Sequence, residues 1–142
     1  MSGRFVGALA AGLAVIALLI QAVPVERTNG PVEQDAGAPP PVGGILKRAC
    51  YDCHSNETVW PGYSRVAPVS WLVGHDVHEG RSELNFSTWG RYDATARRRK
   101  LKRAAEEVAG GDMPPIYYTW MHPEARLSSA DKAALAAWFE RP

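Results

Sequence analysis

Hydrophobic and polar positions divide the chain into three stretches with different rhythms. The first is an apolar run from Phe5 to Val23, broken only at Gln21, with Arg4 before it and polar residues from Glu26 onward. A helix needs about 20 apolar residues to cross a bilayer, and this run is near that length. The second stretch, residues 24–43, has no period. It carries Pro24, Pro31, Pro39, Pro40 and Pro41 among Gly30, Gly37 and Gly43. Such a segment buries too little apolar surface to offset the entropy of ordering, and its prolines favour an extended, semi-rigid tether. In the third stretch, residues 44–142, apolar positions recur at helical spacing.

Four helices are predicted there. Ile45, Leu46 and Ala49 form a stripe on a first helix that ends near His54. A second opens around Ala67–Val73 and runs to about Gly80. After an irregular segment from Leu84 to Trp89, Asp93 caps a third helix reaching Ala109, and Gly110 and Gly111 stop it. Ser128 or Ser129 starts the last helix, whose stripe is Ala134, Leu135, Trp138 and Phe139. The expected architecture is all-α: a signal anchor or signal peptide over 1–23, a Pro/Gly-rich linker over 24–43, and one small helical domain over 44–142.

A cleavable signal peptide has a shorter apolar core and a small-residue cleavage site. Gln21, Ala22, Val23 and Pro24 make a poor one, so an uncleaved membrane anchor is preferred to a cleaved peptide. Arg4 on its N-terminal side puts the domain outside the cytoplasm by the positive-inside tendency. That means the periplasmic side of the inner membrane, or the periplasm or medium if the segment is removed.

The 142 residues carry a formal net charge of +1, so no global positive field marks a nucleic-acid binder. Arg97, Arg98, Arg99, Lys100, Lys102 and Arg103 crowd one helix face. They read as a solvated face in preference to a docking site for acidic partners or anionic lipid.

Both cysteines of the chain lie in one run, Cys50-Tyr51-Asp52-Cys53-His54. This is a C-x-x-C-H sequence, the pattern for covalent attachment of a c-type haem. Positions i, i+3 and i+4 share a helix face, so two thiols can each bond a porphyrin vinyl while the imidazole of His54 reaches the iron. A zinc site would need four ligands, and only His75 and His78 form a further pair. A thioredoxin-like dithiol would want a βαβ pattern, which is missing. One covalent haem is the preferred reading.

The second axial position has several candidates. Met113, in Gly111-Asp112-Met113-Pro114-Pro115, lies on a loop that prolines stiffen, and Met/His ligation is known for such haems. Otherwise Met113 fills a gap in the core. His122, His75 and His78 are its rivals as iron ligands.

Several runs together resemble the bacterial haem-binding domain family of exported, cytochrome c-like proteins. They are Cys50 to Thr58, Ala67-Pro68-Val69-Ser70-Trp71, Leu84-Asn85-Phe86-Ser87 with Trp89, Met113-Pro114-Pro115, and His122-Pro123 with Ala125 and Leu127. The chain departs from the pattern at Gly62, where a bulkier residue is expected. The resemblance implies a small cytochrome c-like domain wrapped around one haem, with Cys50 and Cys53 as attachment residues and His54 as proximal ligand. In small cytochromes the first and last helices cross, which would set Ile45 and Leu46 against Leu135, Trp138 and Phe139. The function expected is electron transfer between redox partner proteins outside the cytoplasm. The alternative is a haem enzyme or a gas or redox sensor with an open or displaceable sixth position.

Overall fold

The computed structural model describes residues 2–141. All regular structure among them is helical, apart from one isolated bridge between Gln34 and Thr88. The chain forms two compact units, residues 2–28 with 60–76 and residues 29–59 with 77–141.

In the first unit, helix α1 (Ser2–Leu19) is built from alanine and leucine, both strong helix formers. It continues through a 3-10 turn, and Gly3–Ala22 has a mean hydropathy of 2.3 with no part of it buried. At 1.5 Å per residue these 20 residues span about 30 Å, the thickness of a bilayer's hydrocarbon core. The helix therefore has the length and composition of a membrane anchor or a signal sequence. Gln21, which interrupts the apolar run, accepts from the Ala67 N–H at 2.9 Å and donates to the Ala67 carbonyl at 3.3 Å.

The second unit holds α2 (Pro40–Ala49), α3 (Tyr51–His54), the end of α4 (Val69–Glu83), α5 (Ala94–Gly110), α6 (Ile116–Met121) and α7 (Ser129–Phe139). Helix α7 packs on α2 and α5. Ile45, Leu46, Leu135 and Phe139 share one buried cluster with Trp138 against it, which is the expected pairing of first and last domain helices. The irregular segment after α4 lies at the middle of this core. Phe86 is fully buried and stacks between Tyr51 (centroids 5.5 Å) and Trp89 (6.3 Å).

Helix boundaries depart from expectation in four places. The first domain helix does not run on to His54: it ends at Ala49, because Cys50 has a non-helical φ of −128°, and α3 follows as a separate turn. Helix α2 starts at Pro40, before the predicted stripe, because prolines at the first helical positions lack only N–H groups that would be unpaired anyway. Helix α4 passes Gly80 and reaches Glu83. Helix α6 was not foreseen. Helix α5 behaves as its sequence predicts: Asp93 accepts from the Ala96 N–H at 2.7 Å, and Gly111 closes it with φ +87°, a left-handed conformation suited to glycine.

The stretch before α2 is extended and backbone-paired. Glu33 and Gln34 N–H groups donate to the Ser87 carbonyl at 2.9 and 3.1 Å, and the Trp89 N–H donates to the Gln34 carbonyl at 3.0 Å. The Tyr51 hydroxyl donates to Asp35 Oδ2 at 2.6 Å. Hydrogen bonds, not buried apolar area, thus order residues too polar to form a core. On α5, Arg97 and Lys100 lie over the rings of Trp89 and Tyr92, and Arg103 pairs with Glu83 at 2.8 Å. That face is only partly left to solvent.

Candidate functional site

The turn that carries the two cysteines is closed by its own backbone. The Cys53 and His54 N–H groups both donate to the Cys50 carbonyl, at 3.2 and 2.8 Å. Cys50, Cys53 and His54 therefore share one helical turn, as the spacing requires. The same turn is fastened to the core at Tyr51, through its stack on Phe86 and its bond to Asp35.

His54 is the most constrained residue of the site. Its Nδ1 lies 2.9 Å from the Gly80 carbonyl and 3.1 Å from the Leu84 carbonyl. Carbonyl oxygens only accept, so Nδ1 carries the proton and Nε2 keeps its lone pair. Burial holds the imidazole pKa below its ordinary value, against the opposing pull of the two carbonyls and of Glu83. The ring is therefore neutral at neutral pH, the form that binds a metal.

Gly80 makes this geometry available. A Cβ at that position would lie 2.5 Å from the Cys53 carbonyl oxygen and 2.9 Å from the Cys53 Cβ. Only glycine lets α4 approach the attachment turn closely enough to present its carbonyl to His54. The sequence pattern alone places Gly80 at the end of a helix. Its presence inside one, where glycine costs up to about 1 kcal/mol, was the available signal of a close contact.

The Cys50 thiol does not resemble that of an exchange-active cysteine. Cys50 keeps part of its surface in solvent, yet its thiol is enclosed, and burial pushes its pKa up to about 12, with Arg48 opposing. Exchange-active cysteines have lowered pKa values. Among the described residues no three His, Cys, Asp or Glu side chains gather as a metal cage.

Asp52, between the cysteines, is the junction of the site. Its Oδ1 accepts from the Val59 N–H at 2.9 Å, its carbonyl accepts from Thr58 Oγ1 at 2.7 Å, and its Oδ2 accepts from the Tyr118 hydroxyl at 2.8 Å. Tyr118 lies on α6, which follows Met113-Pro114-Pro115 directly. No feature of the sequence marked this contact, because 66 residues separate its partners.

The four candidates for the second axial ligand sit in different surroundings. Met113 is 36% exposed, so it does not fill a core gap. Its neighbours on α6 are also open, with Ile116 and Trp120 each 69% exposed and Met121 62%. His122 stacks on Tyr118 (centroids 4.3 Å) and places Nδ1 3.2 Å from Glu124 Oε1. His75 and His78 are exposed on α4, His75 in the first unit.

A c-type haem suits these donors: two thiols at the right spacing, one neutral imidazole with a fixed tautomer, and unburied apolar side chains on α6 in the same unit. A family model described as a haem-binding domain matches residues 15–141, a span that begins inside α1 and includes the proline-rich stretch. No curated protein and no solved structure matches the chain.

Proposed function

The chain belongs to the haem-binding domain family, and from that premise we propose that it holds one covalent c-type haem and transfers single electrons outside the cytoplasm. The observation that carries this reading is the His54 ring, whose Nδ1–H is fixed by the Gly80 and Leu84 carbonyls. A hydrogen bond of this kind orients a ligating imidazole and raises its basicity. When bound, the haem supplies a one-electron iron couple tuned by its axial ligands.

In this reading Cys50 and Cys53 form the thioethers and His54 is the proximal ligand. Met113 is the distal one: it lies outside the core, and a thioether ligand raises the potential. The helices of the second unit then make a cytochrome c-like domain around the haem. The N-terminal helix tethers it to the inner membrane or exports it, with the domain on the periplasmic side. Its partners are redox proteins.

Protein matured in a host that attaches c-type haem tests the reading. The expected ferric spectrum has a weak sulfur-to-iron band in the near-infrared, absent in Met113→Ala. An unchanged band in that variant removes Met113 from the iron. Carbon monoxide uptake by the ferrous wild type without denaturant favours an enzyme or sensor with a displaceable sixth position.

A further inference from the structure

We propose that Tyr118 is a positioning residue for the sixth iron position: its hydrogen bond to Asp52 sets how readily an external ligand displaces the Met113 sulfur. This rests on the reading of Met113 as the distal ligand.

The segment around Met113 is fastened at two points. Upstream, the N–H groups of Gly111, Asp112 and Met113 all donate to the Glu107 carbonyl, at 3.1, 3.0 and 3.2 Å. This clamps Met113 to the end of α5. Downstream, the chain enters α6, a helix of six residues, none of them buried. A helix this short does not hold itself, and it has little apolar contact to fix it. The Tyr118 hydroxyl reaches from α6 to Asp52, inside the attachment motif itself. Asp52 is a rigid acceptor, since Val59 N–H and Thr58 Oγ1 hold it from the other side.

The consequence for the ligand is one of effective concentration. An iron–thioether bond is weak and opens from time to time. Whether the sulfur returns before an outside molecule binds depends on how closely its segment is held. With both ends fastened, the open state gains little chain entropy and the sulfur competes well. With α6 released, the next anchor after α5 is the buried Ala125, which packs in a turn on α2, so the loop that carries the sulfur lengthens and its local concentration falls. The Tyr118 bond thus acts on the distal side from a residue that need not touch the iron.

Tyr118→Phe removes the hydroxyl and keeps the ring that stacks on His122. Imidazole binding to the ferric holoprotein is the probe. Tyr118→Phe is expected to bind imidazole about tenfold more tightly than wild type, the equivalent of ~1.4 kcal/mol, and Asp52→Asn is expected to move it the same way. In a Met113→Ala background, Tyr118→Phe is expected to leave the affinity within about twofold, because no sulfur remains to be positioned.

The outcomes separate cleanly. A wild type with the sulfur band whose imidazole affinity is matched by both Tyr118→Phe and Asp52→Asn overturns the positioning role and leaves the ligand reading standing. A wild type without the band overturns the ligand reading, and the positioning role with it. Equal tightening with and without Met113 shows that Tyr118 limits access to the iron instead, and overturns the proposal.

Discussion

The attachment turn and the Met113 segment face the same cofactor in this reading, and they are built in opposite ways. The turn is half-buried and over-determined. Tyr51 stacks in the core, His54 donates to two backbone carbonyls, and Gly80 admits α4 to within contact of Cys53. The Met113 segment is open to solvent and fixed by a clamp at one end and a tyrosine at the other. A covalent group needs one invariant side, because thioether formation tolerates little error in the placement of thiols and imidazole. The opposite side can then be loose, and small changes there can tune ligand exchange without disturbing attachment.

The largest test of the comparison is to remove the attachment. Replacing Cys50 and Cys53 together with serine is expected to leave the matured protein at its bare polypeptide mass, read by mass spectrometry under denaturing conditions. Retention of a covalent haem would break the assignment of the rigid side. Next comes Gly80→Ala. Its new methyl must displace the Cys53 backbone, and overpacking of this kind costs on the order of 1–3 kcal/mol. A lower urea midpoint and poorer haem incorporation are expected. Gly44→Ala is the control: its Cβ meets nothing within 4 Å, and replacing a helical glycine gains roughly 0.5–1 kcal/mol. If both substitutions behave alike, the close approach is not a constraint.

The two sides also differ in how much of them the sequence reveals. The shared turn of Cys50, Cys53 and His54 is legible because it depends on local spacing, which a linear pattern preserves. The caps of α5 and α7 were legible for the same reason, at Asp93, Gly111 and Ser128. The carbonyls that orient His54 were not, since every residue has one and only the path of α4 decides which are near. The Tyr118–Asp52 contact was invisible for the matching reason of sequence distance. Residues 24–43 misled in part. Their composition describes a tether, but composition does not register backbone pairing such as that of Glu33 and Gln34 with Ser87. Pro40 and Pro41 likewise look like linker and open a helix.

A smaller effect is expected at Tyr51, where that pairing meets the attachment turn. Burial first, and then the hydrogen bond and charge of Asp35, keep its hydroxyl protonated far above the ordinary range. Tyr51→Phe keeps the stack on Phe86 and loses the bond to Asp35, at about 0.5–1.5 kcal/mol. Limited proteolysis is expected to cut residues 29–39 faster in the variant. Unchanged cleavage would mean that backbone pairing alone holds the stretch.

The smallest effect is predicted for Asp131→Asn, and it sharpens the comparison because it touches only the rigid side. Asp131 Oδ2 accepts from the Ser128 N–H at 2.9 Å and the Ser128 hydroxyl at 2.8 Å, while Oδ1 pairs with Arg48 on α2 at 2.7 Å. The Ser128 N–H first, then its hydroxyl and then Arg48, hold the carboxyl below the ordinary range. A lowered folded pKa means that the ionised form favours folding. That contribution is fully present above the unfolded value of about 3.9 and is lost as pH falls through the folded one. Wild type is therefore expected to exceed Asp131→Asn in stability near pH 6 by less than about 1 kcal/mol, as solvent-screened pairs allow. The gap should close in strong acid, where both side chains are neutral. The imidazole affinity of the holoprotein should not change, because the pair that is lost, Arg48 with Asp131, ties α7 to α2 and includes no residue of the Met113 segment. A shift in that affinity would mean that the two sides are mechanically one, and the division between a fixed side and an adjustable side would fall.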